Sequence, residues 1–426
     1  MMFRKLAVLA ISAVALIAFA QPVGAKTSCN FKPFTSASEL GKFYGRVLDL
    51  DTGKQLVGIR ATEQTPSASV LKVLTGISAL MQLPPKFTVQ TAVYSVAGAP
   101  GTLVLQGAGD PTLSRLLPPH YTTYSKPARL PRLAAAALRA LPVGAVIRHI
   151  IVDDSYFQGV AYNPFWKPSD RTNGYVSPIV GLAVDGARVN PDLTDKHYSG
   201  VRVTDPVAQA AQVFKVALGS QATTASIEAM PKAPLELTQI AAVTSSTVET
   251  WVDHAMKYSD NTEVEYIARQ VSKWQDLGTN YKSIEPMVKV TLAQLGVSSK
   301  GLVMKDAAGL ARADRVTPQL ISDALAAIDR FSDSVGDFSS YLASSTSAGT
   351  LSTRFKGANK LPDGVVQAKT GYIPGLYSLA GYVTASDGHR LVFAFFARGG
   401  GVGGGTRTKL DSLVVKAYTC GARLTN

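Results

Sequence analysis

The 426-residue sequence has little of several features that would mark other classes of protein. It contains two cysteines and five histidines, and no histidine pair has the His-Glu-x-x-His spacing of a metal site. His254 is interpreted as a surface histidine of a helix. After residue 20 no run approaches eighteen apolar residues, the length that a transmembrane helix needs. The lysines and arginines are dispersed, without a zinc-finger or RNA-binding signature, so nucleic acid is a poor partner. We expect neither a metal nor another cofactor.

Acidic residues are also scarce, and this imbalance sets the charge. The chain has 43 basic and 30 acidic residues, a net charge of +13, and only 17% of its residues are charged. Its apolar content of 46% is that of a folded protein rather than a disordered one. A basic protein is attracted to anionic surfaces, so we expect peripheral contact with an anionic membrane or with wall polymers.

The first 25 residues have the pattern of a secretory signal peptide. Arg4 and Lys5 precede the uncharged run from Leu6 to Ala20, and Val23 to Ala25 offers small residues for cleavage. We predict export to the periplasm or the extracellular cell-wall space, with a mature chain that begins near Lys26 and carries a net charge of +11. An uncleaved membrane anchor is the alternative.

The two cysteines lie near opposite ends of the mature chain. Cys29 follows the predicted cleavage site, and Cys420 lies close to the C-terminus. In an oxidising compartment such a pair would form a disulfide that ties the termini together. Two free thiols are the alternative, whereas lipidation of Cys29 is disfavoured because "KTSC" lacks the small apolar residues that normally precede a lipidated cysteine.

Strand patterns occur at both ends of the chain, with helical patterns between them. Residues 41–62 alternate like a hairpin around "DTG", and three runs near the C-terminus, "GVVQAKTGYI", "YSLAGYVTAS" and "RLVFAFFARG", predict antiparallel strands. The pattern predicts an α+β fold with one mixed sheet that both chain ends complete. Short β-like runs such as "GARVNPDL" predict a β-rich insertion. The predicted divisions are a signal peptide (1–25), a first part of the main domain (26–91), the insertion (92–244) and a second part (245–426).

One Ser-x-x-Lys occurs in the sequence, Ser69 and Lys72 in "SASVLKVLTG", at the start of a predicted helix. Residues three apart share one face of a helix. A serine hydroxyl is a weak nucleophile until a base takes its proton. Lysine is such a base only if burial or a second cation lowers its pKa. Alone, the pair could equally belong to an ordinary core helix.

Two further motifs follow in order. "YSDN" places Ser259 and Asn261 in a segment between helices, where a hydroxyl can relay a proton and an amide can bind a substrate amide. "KTG" places Lys369, Thr370 and Gly371 on a predicted strand. These offer a cation, a hydroxyl and a residue that lets a ligand approach the backbone closely. The three motifs together are the signature of penicillin-binding proteins and class A β-lactamases.

The sequence resembles the D-alanyl-D-alanine carboxypeptidases/endopeptidases of the class C, low-molecular-mass penicillin-binding proteins. That family has a large insertion between its first two motifs, and here Ser69 and Ser259 are 190 positions apart. "GAGDPTL" (107–113), "VDDSYF" (152–157) and "DAAGLARADRVTP" (306–318) also resemble the family, so the likeness covers nearly all of the mature chain. It implies a penicilloyl-serine transferase/β-lactamase-like fold, an antiparallel sheet flanked by helices.

The resemblance also implies an activity. The protein would be a serine D,D-peptidase that cleaves the D-Ala-D-Ala bond or the D-Ala cross-links of peptidoglycan stem peptides and is acylated by penicillins, without a cofactor. Ser69 would be the nucleophile, Lys72 its general base and Ser259 a proton relay. The backbone N–H groups of Ser69 and Tyr372 would form the oxyanion hole. The implied substrate-binding residues are Asn261, Lys369, Thr370, Gly371 and Tyr372.

The sequence departs from the family at three positions. Ala308 and Ala311 stand where the family usually has serines, and Tyr372 stands where a small hydroxyl residue is usual. Asp306 and Arg312, in the same segment as the alanines, are interpreted as structural. Two other functions stay open on the same fold, a serine β-lactamase and a non-catalytic wall-binding protein.

Overall fold

The computed structural model describes residues 28–192, 200–345 and 349–426, so the predicted signal peptide (1–25) lies outside the described residues. The strands are β1 (Lys42–Asp49), β2 (Gln55–Ile59), β3 (Gln90–Val96), β4 (Thr102–Gln106), β5 (His149–Asp153), β6 (Ser226–Ala229), β7 (Leu237–Thr244), β8 (Ala343–Ser344), β9 (Val366–Ile373), β10 (Leu376–Thr384) and β11 (Arg390–Arg398). The helices are α1 (Lys72–Gln82), α2 (Leu130–Ala140), α3 (Pro168–Thr172), α4 (Pro206–Ala217), α5 (Val248–Tyr258), α6 (Asn261–Trp274), α7 (Ile284–Gln294), α8 (Pro318–Asp329), α9 (Ser332–Val335) and α10 (Thr406–Cys420).

The main sheet combines strands from both ends of the chain. Its order is β2-β1-β11-β10-β9-β8, and every neighbouring pair is antiparallel. The predicted hairpin and the three predicted C-terminal strands are all present. The sheet therefore confirms the expected α+β architecture, in which the first and last segments of the chain meet.

Both faces of this sheet are covered. On one face, alternate residues of β11 such as Val392 and Phe396 belong to a core shared with α1 and α5–α8. On the other face, Phe393 and Phe395 pack in a second core with α10. Period-two alternation of apolar residues on both faces is what a sheet between two helical layers requires. None of the helices in the described ranges has the length and apolarity needed to cross a bilayer.

The predicted disulfide is present. Cys29 and Cys420 are bonded, with their Cα atoms 5.6 Å apart. Next to the bond, Asn30 pairs with Thr425 in an isolated bridge. The link joins the N-terminal segment to the end of α10, so the two ends of the chain are fixed to each other where they complete the main sheet.

A second sheet lies between residues 90 and 244, with the order β6-β5-β4-β3-β7. Its β4–β5 and β5–β6 pairs are parallel. Residues of α2 and α4 share its core. The prediction of a strand at "GARVNPDL" (186–193) is wrong. Asp185–Ala187 forms a 3-10 turn there, and only an isolated bridge links Arg188 to Arg202. Asp185, Gly186 and Ala187 all have positive φ, which is incompatible with an extended strand.

Candidate active site

Ser69 lies on a short 3-10 turn, Ala68–Leu71, that leads directly into α1. Ala68, just before it, has φ of 45°, a left-handed conformation. That conformation costs a non-glycine residue about 1–2 kcal/mol. The turn is tied to the sheet because the hydroxyl of Ser378 on β10 donates a 2.8 Å hydrogen bond to the carbonyl of Ser67. The surrounding packing thus holds the serine in a strained, defined position.

Two glycines allow other segments to approach this turn. A Cβ atom on Gly371 of β9 would lie 2.2 Å from Ser378 Oγ and 3.0 Å from the backbone nitrogen of Ser69. A Cβ on Gly309 would lie 2.0 Å from the carbonyl oxygen of Ala68. Contacts this short exclude any side chain unless the backbone shifts. The glycines therefore allow β9 and the segment around Gly309 to pack directly against Ser69.

The side chain of Lys72 is fully buried beside Ser69. Its Nζ donates hydrogen bonds to Ser69 Oγ at 3.0 Å, Asn261 Oδ1 at 2.5 Å and the carbonyl of Ala308 at 2.7 Å. Burial lowers the pKa of Lys72 to about 8, against the opposing effect of nearby carboxylates, first among them Asp306. The neutral amine is therefore accessible near neutral pH, as a general base requires.

The carbonyl of Ala308 is held in place by two carboxylates. Oε1 of Glu265 accepts from the backbone N–H groups of Ala307 and Ala308 at 2.6 and 3.0 Å. Asp306 accepts from the next three N–H groups, ending with Ala311, at 2.6 to 3.0 Å. These five bonds fix the turn that aims the carbonyl at the buried lysine. All five donors and the carbonyl that Lys72 contacts are backbone groups, which an alanine supplies as well as a serine does.

The Ser-Asp-Asn motif joins α5 to α6. Ser259 has φ of 62° and ψ of 36°, a left-handed conformation at the end of α5. The carboxylate of Asp260 caps the first turn of α6. Asn261 accepts from Lys72 through Oδ1, and its Nδ2 donates to the carbonyl of Tyr175 at 3.0 Å. The motif therefore contacts both the Ser69 helix and residues from the 90–244 region.

Lys369 on β9 faces the motif from the other side. Its side chain is fully buried, and Nζ donates to Ser259 Oγ at 2.8 Å and to the carbonyl of Thr370 at 3.0 Å. Burial lowers the pKa of Lys369 well below its usual value, and the positive charge of Lys72 lowers it further. The site thus contains two neighbouring buried amines.

The structure brings most of the site residues predicted from the sequence into contact, but not all of them. Two hydrogen-bonded groups form, Ser69–Lys72–Asn261 and Ser259–Lys369. Gly371 packs on the turn that carries Ser69. Among the described residues, no hydrogen bond joins the side chain of Thr370 or Tyr372 to these groups. Tyr372 is 53% exposed, and its ring lies 4.7 Å from that of Tyr377.

One expectation about this region is wrong. His254, interpreted from the sequence as a surface residue, is buried, and its Nδ1 lies 2.6 Å from Oε2 of Glu263. It lies on the face of α5 that packs against α6, and the buried carboxylate supplies its polar partner. A polar residue on a buried helix face is indistinguishable in sequence from one on the exposed face.

Other supporting groups have no sequence signal, or a weak one. The carbonyls of Ala308 and Tyr175 contribute through the backbone, which any residue type possesses. Glu265 could have been noticed as an acidic residue one turn into the helix that follows the Ser-Asp-Asn motif. Asp306, interpreted as structural, indeed holds the turn, and Oδ2 also accepts from Trp166 Nε1 at 2.7 Å.

Comparison with known proteins agrees with this geometry. The family model described as "D-Ala-D-Ala carboxypeptidase 3 (S13) family" matches residues 32–200 and 194–416. Carboxypeptidase DacB of Mycolicibacterium smegmatis is 31% identical over 386 residues, which cover 90% of this chain and 82% of that protein. Carboxypeptidase Rv3627c of Mycobacterium tuberculosis is 29% identical over 406 residues, 94% of this chain and 86% of that protein.

A solved structure shares the fold. The crystal structure of penicillin binding protein 4 (dacB) from Haemophilus influenzae matches with a TM-score of 0.76 at 19% identity, over 91% of this chain and 98% of that one. The family model covers most of the sequence and includes all three motifs. The chain therefore belongs to the D-Ala-D-Ala carboxypeptidase 3 (S13) family and is a serine D-Ala-D-Ala carboxypeptidase.

Proposed function

We propose that Ser69 is the nucleophile of this carboxypeptidase and that Lys72 is its general base. The observation that carries the proposal is the 3.0 Å hydrogen bond between Lys72 Nζ and Ser69 Oγ, made by a lysine whose pKa burial lowers to about 8. The neutral form of Lys72 takes the proton of Ser69 as Oγ attacks the carbonyl carbon of the scissile peptide bond. The product of this step is a tetrahedral oxyanion.

We assign the stabilisation of this oxyanion to the backbone N–H groups of Ser69 and Tyr372. The support is the close approach of β9 to the nucleophile turn, since a Cβ on Gly371 would lie 3.0 Å from the nitrogen of Ser69. Two N–H donors on rigid segments need no reorganisation when charge develops, which is why such pairs lower the barrier strongly. A backbone donor is also unaffected by the exposed ring of Tyr372.

The departing residue is assigned to the opposite side of the site. Lys369 Nζ and the hydroxyl of Thr370 bind the terminal carboxylate, whose negative charge favours the ammonium form of Lys369 against the burial that lowers its pKa. Ser259 relays a proton to the departing amine, and the 2.8 Å bond that its Oγ accepts from Lys369 supports this role. Asn261 uses Nδ2, which has a second hydrogen beyond the one on the Tyr175 carbonyl, to hold the substrate amide. Water then releases the acyl group from Ser69.

The substrate class we propose is a peptidoglycan stem peptide that ends in D-Ala-D-Ala, or the D-Ala cross-link between two stems. Penicillins present a carboxylate beside a reactive amide and would acylate Ser69 in the same way. A solved structure of similar fold, at 16% identity and a TM-score of 0.57, is that of a peptidoglycan endopeptidase from Bdellovibrio bacteriovorus. Cleavage of both kinds of bond is therefore part of the proposal.

The test uses residues 26–426 with a pentapeptide that ends in D-Ala-D-Ala and, separately, with a penicillin. We expect release of D-Ala, a long-lived penicillin adduct, and loss of both in Ser69→Ala. Ser78→Ala is the matched control, because Ser78 is a buried serine of α1 whose hydroxyl, within the described part of the chain, bonds the carbonyl of Leu74 alone. Rapid penicillin turnover without D-Ala release would instead identify a β-lactamase, and inertness towards both substrates would identify a non-catalytic protein.

We also propose that the protein acts outside the cytoplasm, which the signal-like N-terminus and the Cys29–Cys420 disulfide support. Between residues 111 and 152 the chain has six basic and no acidic residues, including the exposed Arg132, Arg139 and Arg148. This stretch supports attraction to an anionic membrane or wall polymer. Co-sedimentation with phosphatidylglycerol vesicles, weakening as salt rises, measures that attraction.

The division into an insertion (92–244) between two parts of a main domain (26–91 and 245–426) is part of the same proposal. The strands of the second sheet run from Gln90 to Thr244, which supports these boundaries. Residues 92–244 are called the insertion below.

A further inference from the structure

The Ser-Asp-Asn motif needs support from outside its own helices. Ser259 holds a left-handed conformation that is unfavourable for a residue with a Cβ atom. Only a fixed environment keeps such a residue in one place. Lys369 contacts its hydroxyl, but the backbone at this point is set by the next residue, Asp260, whose carboxylate accepts from the N–H of Glu263 at 2.9 Å.

The second oxygen of that carboxylate is held by an arginine of the insertion. Nη2 of Arg188 lies 3.2 Å from Oδ2 of Asp260, and the two side chains are 1% and 0% exposed. The other terminal nitrogen of Arg188 donates to the hydroxyl of Tyr124, also in the insertion, at 2.7 Å. The guanidinium therefore links the insertion to the motif across a fully buried contact.

The charges around this contact favour the ionised pair. Burial alone would raise the pKa of Asp260, but Arg188, Arg202 and His254 hold it below its usual value. A ring nitrogen of His254 and carboxylate oxygens of Asp260 and Glu263 lie within 4.8 Å of one another. A cluster of buried carboxylates requires positive charge nearby, and the guanidinium of Arg188 supplies it directly at Asp260.

The position of Arg188 is itself built by the insertion. Its carbonyl accepts from Nη2 of Arg115 at 2.5 Å and from Nε2 of Gln209 at 3.0 Å. It pairs with Arg202 in an isolated bridge that follows the 3-10 turn. The insertion makes a second contact with the motif, because the carbonyl of Tyr175 accepts from Asn261. Thus two of the three motif residues are oriented from outside the main domain.

We propose that Arg188 is a positioning residue for the reaction, through which the insertion fixes Asp260 and with it the place of Ser259 and Asn261. The inference rests on the roles proposed above for these two residues. On this proposal, the insertion contributes directly to the geometry of the active site. The substrate carboxylate is assigned to Lys369 and Thr370 on β9, whereas Arg188 acts on Ser259 and Asn261, so we expect Arg188 to affect the rate of the chemical step more than the binding of substrate.

The test measures acylation by penicillin at saturating drug, which reports the chemical step separately from binding. In Arg188→Met we expect the maximal acylation rate to fall about a hundredfold, the effect typical of small misplacements of reacting groups. The concentration of drug that gives half the maximal rate should change less than threefold. The control is Arg354→Met, which removes another mostly buried arginine–aspartate pair, to Asp411 of α10 at 2.5 Å. That variant should keep its acylation rate within threefold of the wild type.

A second variant separates positioning from simple loss of stability. Arg188→Met leaves the carboxylate of Asp260 buried without its main partner, whereas Arg188→Met/Asp260→Asn leaves a neutral residue that can still cap α6. The double variant should regain the stability lost in Arg188→Met but acylate about tenfold or more slower than the wild type, because the guanidinium that fixes residue 260 is still absent. Equal losses of rate in Arg188→Met and Arg354→Met, or a double variant that acylates as fast as the wild type, would overturn the proposal. Absence of acylation in the wild type would instead overturn the proposed function.

If Arg188→Met does not fold, Arg188→Lys decides the matter. It keeps the positive charge but can satisfy either Asp260 or Tyr124 rather than both. We expect a folded far-ultraviolet spectrum and an acylation rate about tenfold below that of the wild type. A folded Arg188→Lys with the full wild-type rate would contradict the assignment.

Discussion

Replacing Lys72 with methionine should lower the rate constant for acylation by penicillin about a thousandfold, the usual size of a general-base contribution. Methionine fills the buried space with an unbranched chain but cannot accept the proton of Ser69. The pH profile provides the signature. The free base exists above the pKa of Lys72, so the wild-type rate should rise with a midpoint near pH 8, and this rise should be absent in the variant.

The control for that experiment is Lys289→Met on α7, which removes an exposed lysine paired with Glu285 at 2.6 Å. It should acylate at the wild-type rate and keep the rise with pH. A Lys72→Met protein that acylates within tenfold of the wild type over the whole pH range would assign the base elsewhere.

Adding a single methyl group to β9 should have the next largest effect. In Gly371→Ala the new Cβ would meet Ser378 Oγ at 2.2 Å and the nitrogen of Ser69 at 3.0 Å, so the strand or the turn that carries Ser69 must move. Either movement would separate the two proposed oxyanion donors, the backbone N–H groups of Ser69 and Tyr372. Loss of one oxyanion donor costs about a hundredfold or more, and we expect that loss in the acylation rate constant.

Two variants check the reason for this effect. Gly404→Ala adds the same methyl group at a position where no other described segment comes within 4 Å, and it should leave the rate unchanged. Gly371→Ala/Ser378→Ala removes the tightest contact and should recover part of the rate. If the single Gly371→Ala variant is as fast as the wild type, the close packing of β9 on Ser69 has no catalytic meaning.

The three motifs could be read from the sequence because their chemistry is carried by side chains at fixed spacings. Ser69 and Lys72 share a helix face, and the hydrogen bond between them follows from that local geometry. The strands at both chain ends were also predictable, since residues such as Phe393 and Phe395 alternate with the ones that face the opposite core. In these places the local pattern and the tertiary structure agree.

The supporting groups could not be read in this way. The carbonyl of Ala308 accepts from Lys72 because Glu265 and Asp306 bind the N–H groups of the same turn. Glu265 is distant from Ala308 in sequence, whereas Asp306 lies close to it. No residue type marks a backbone acceptor. The sequence therefore suggests that alanine at positions 308 and 311 removes useful side-chain hydroxyls. The hydrogen bonds of this turn, however, need only the backbone atoms of Ala308 and Ala311.

The contacts between the insertion and the Ser-Asp-Asn motif could not be predicted from the sequence either. Arg188 and Asp260 are 72 positions apart, and each would ordinarily be placed on the surface by its charge. Their burial depends on the pairing itself, which only the folded chain creates. The same reason explains His254, whose buried position is compatible with a polar ring because Glu263 lies beside it.

The most direct test of the account is to locate the acyl group. The penicillin-treated protein is digested with trypsin and sequenced by tandem mass spectrometry. The sequence places Ser69 in the fragment 61–72 and Ser259 in the fragment 258–269, so the two sites are resolved. The account predicts one penicillin mass on Ser69 and none in the Ser69→Ala protein. An adduct on Ser259, or an adduct that persists in Ser69→Ala, would contradict it.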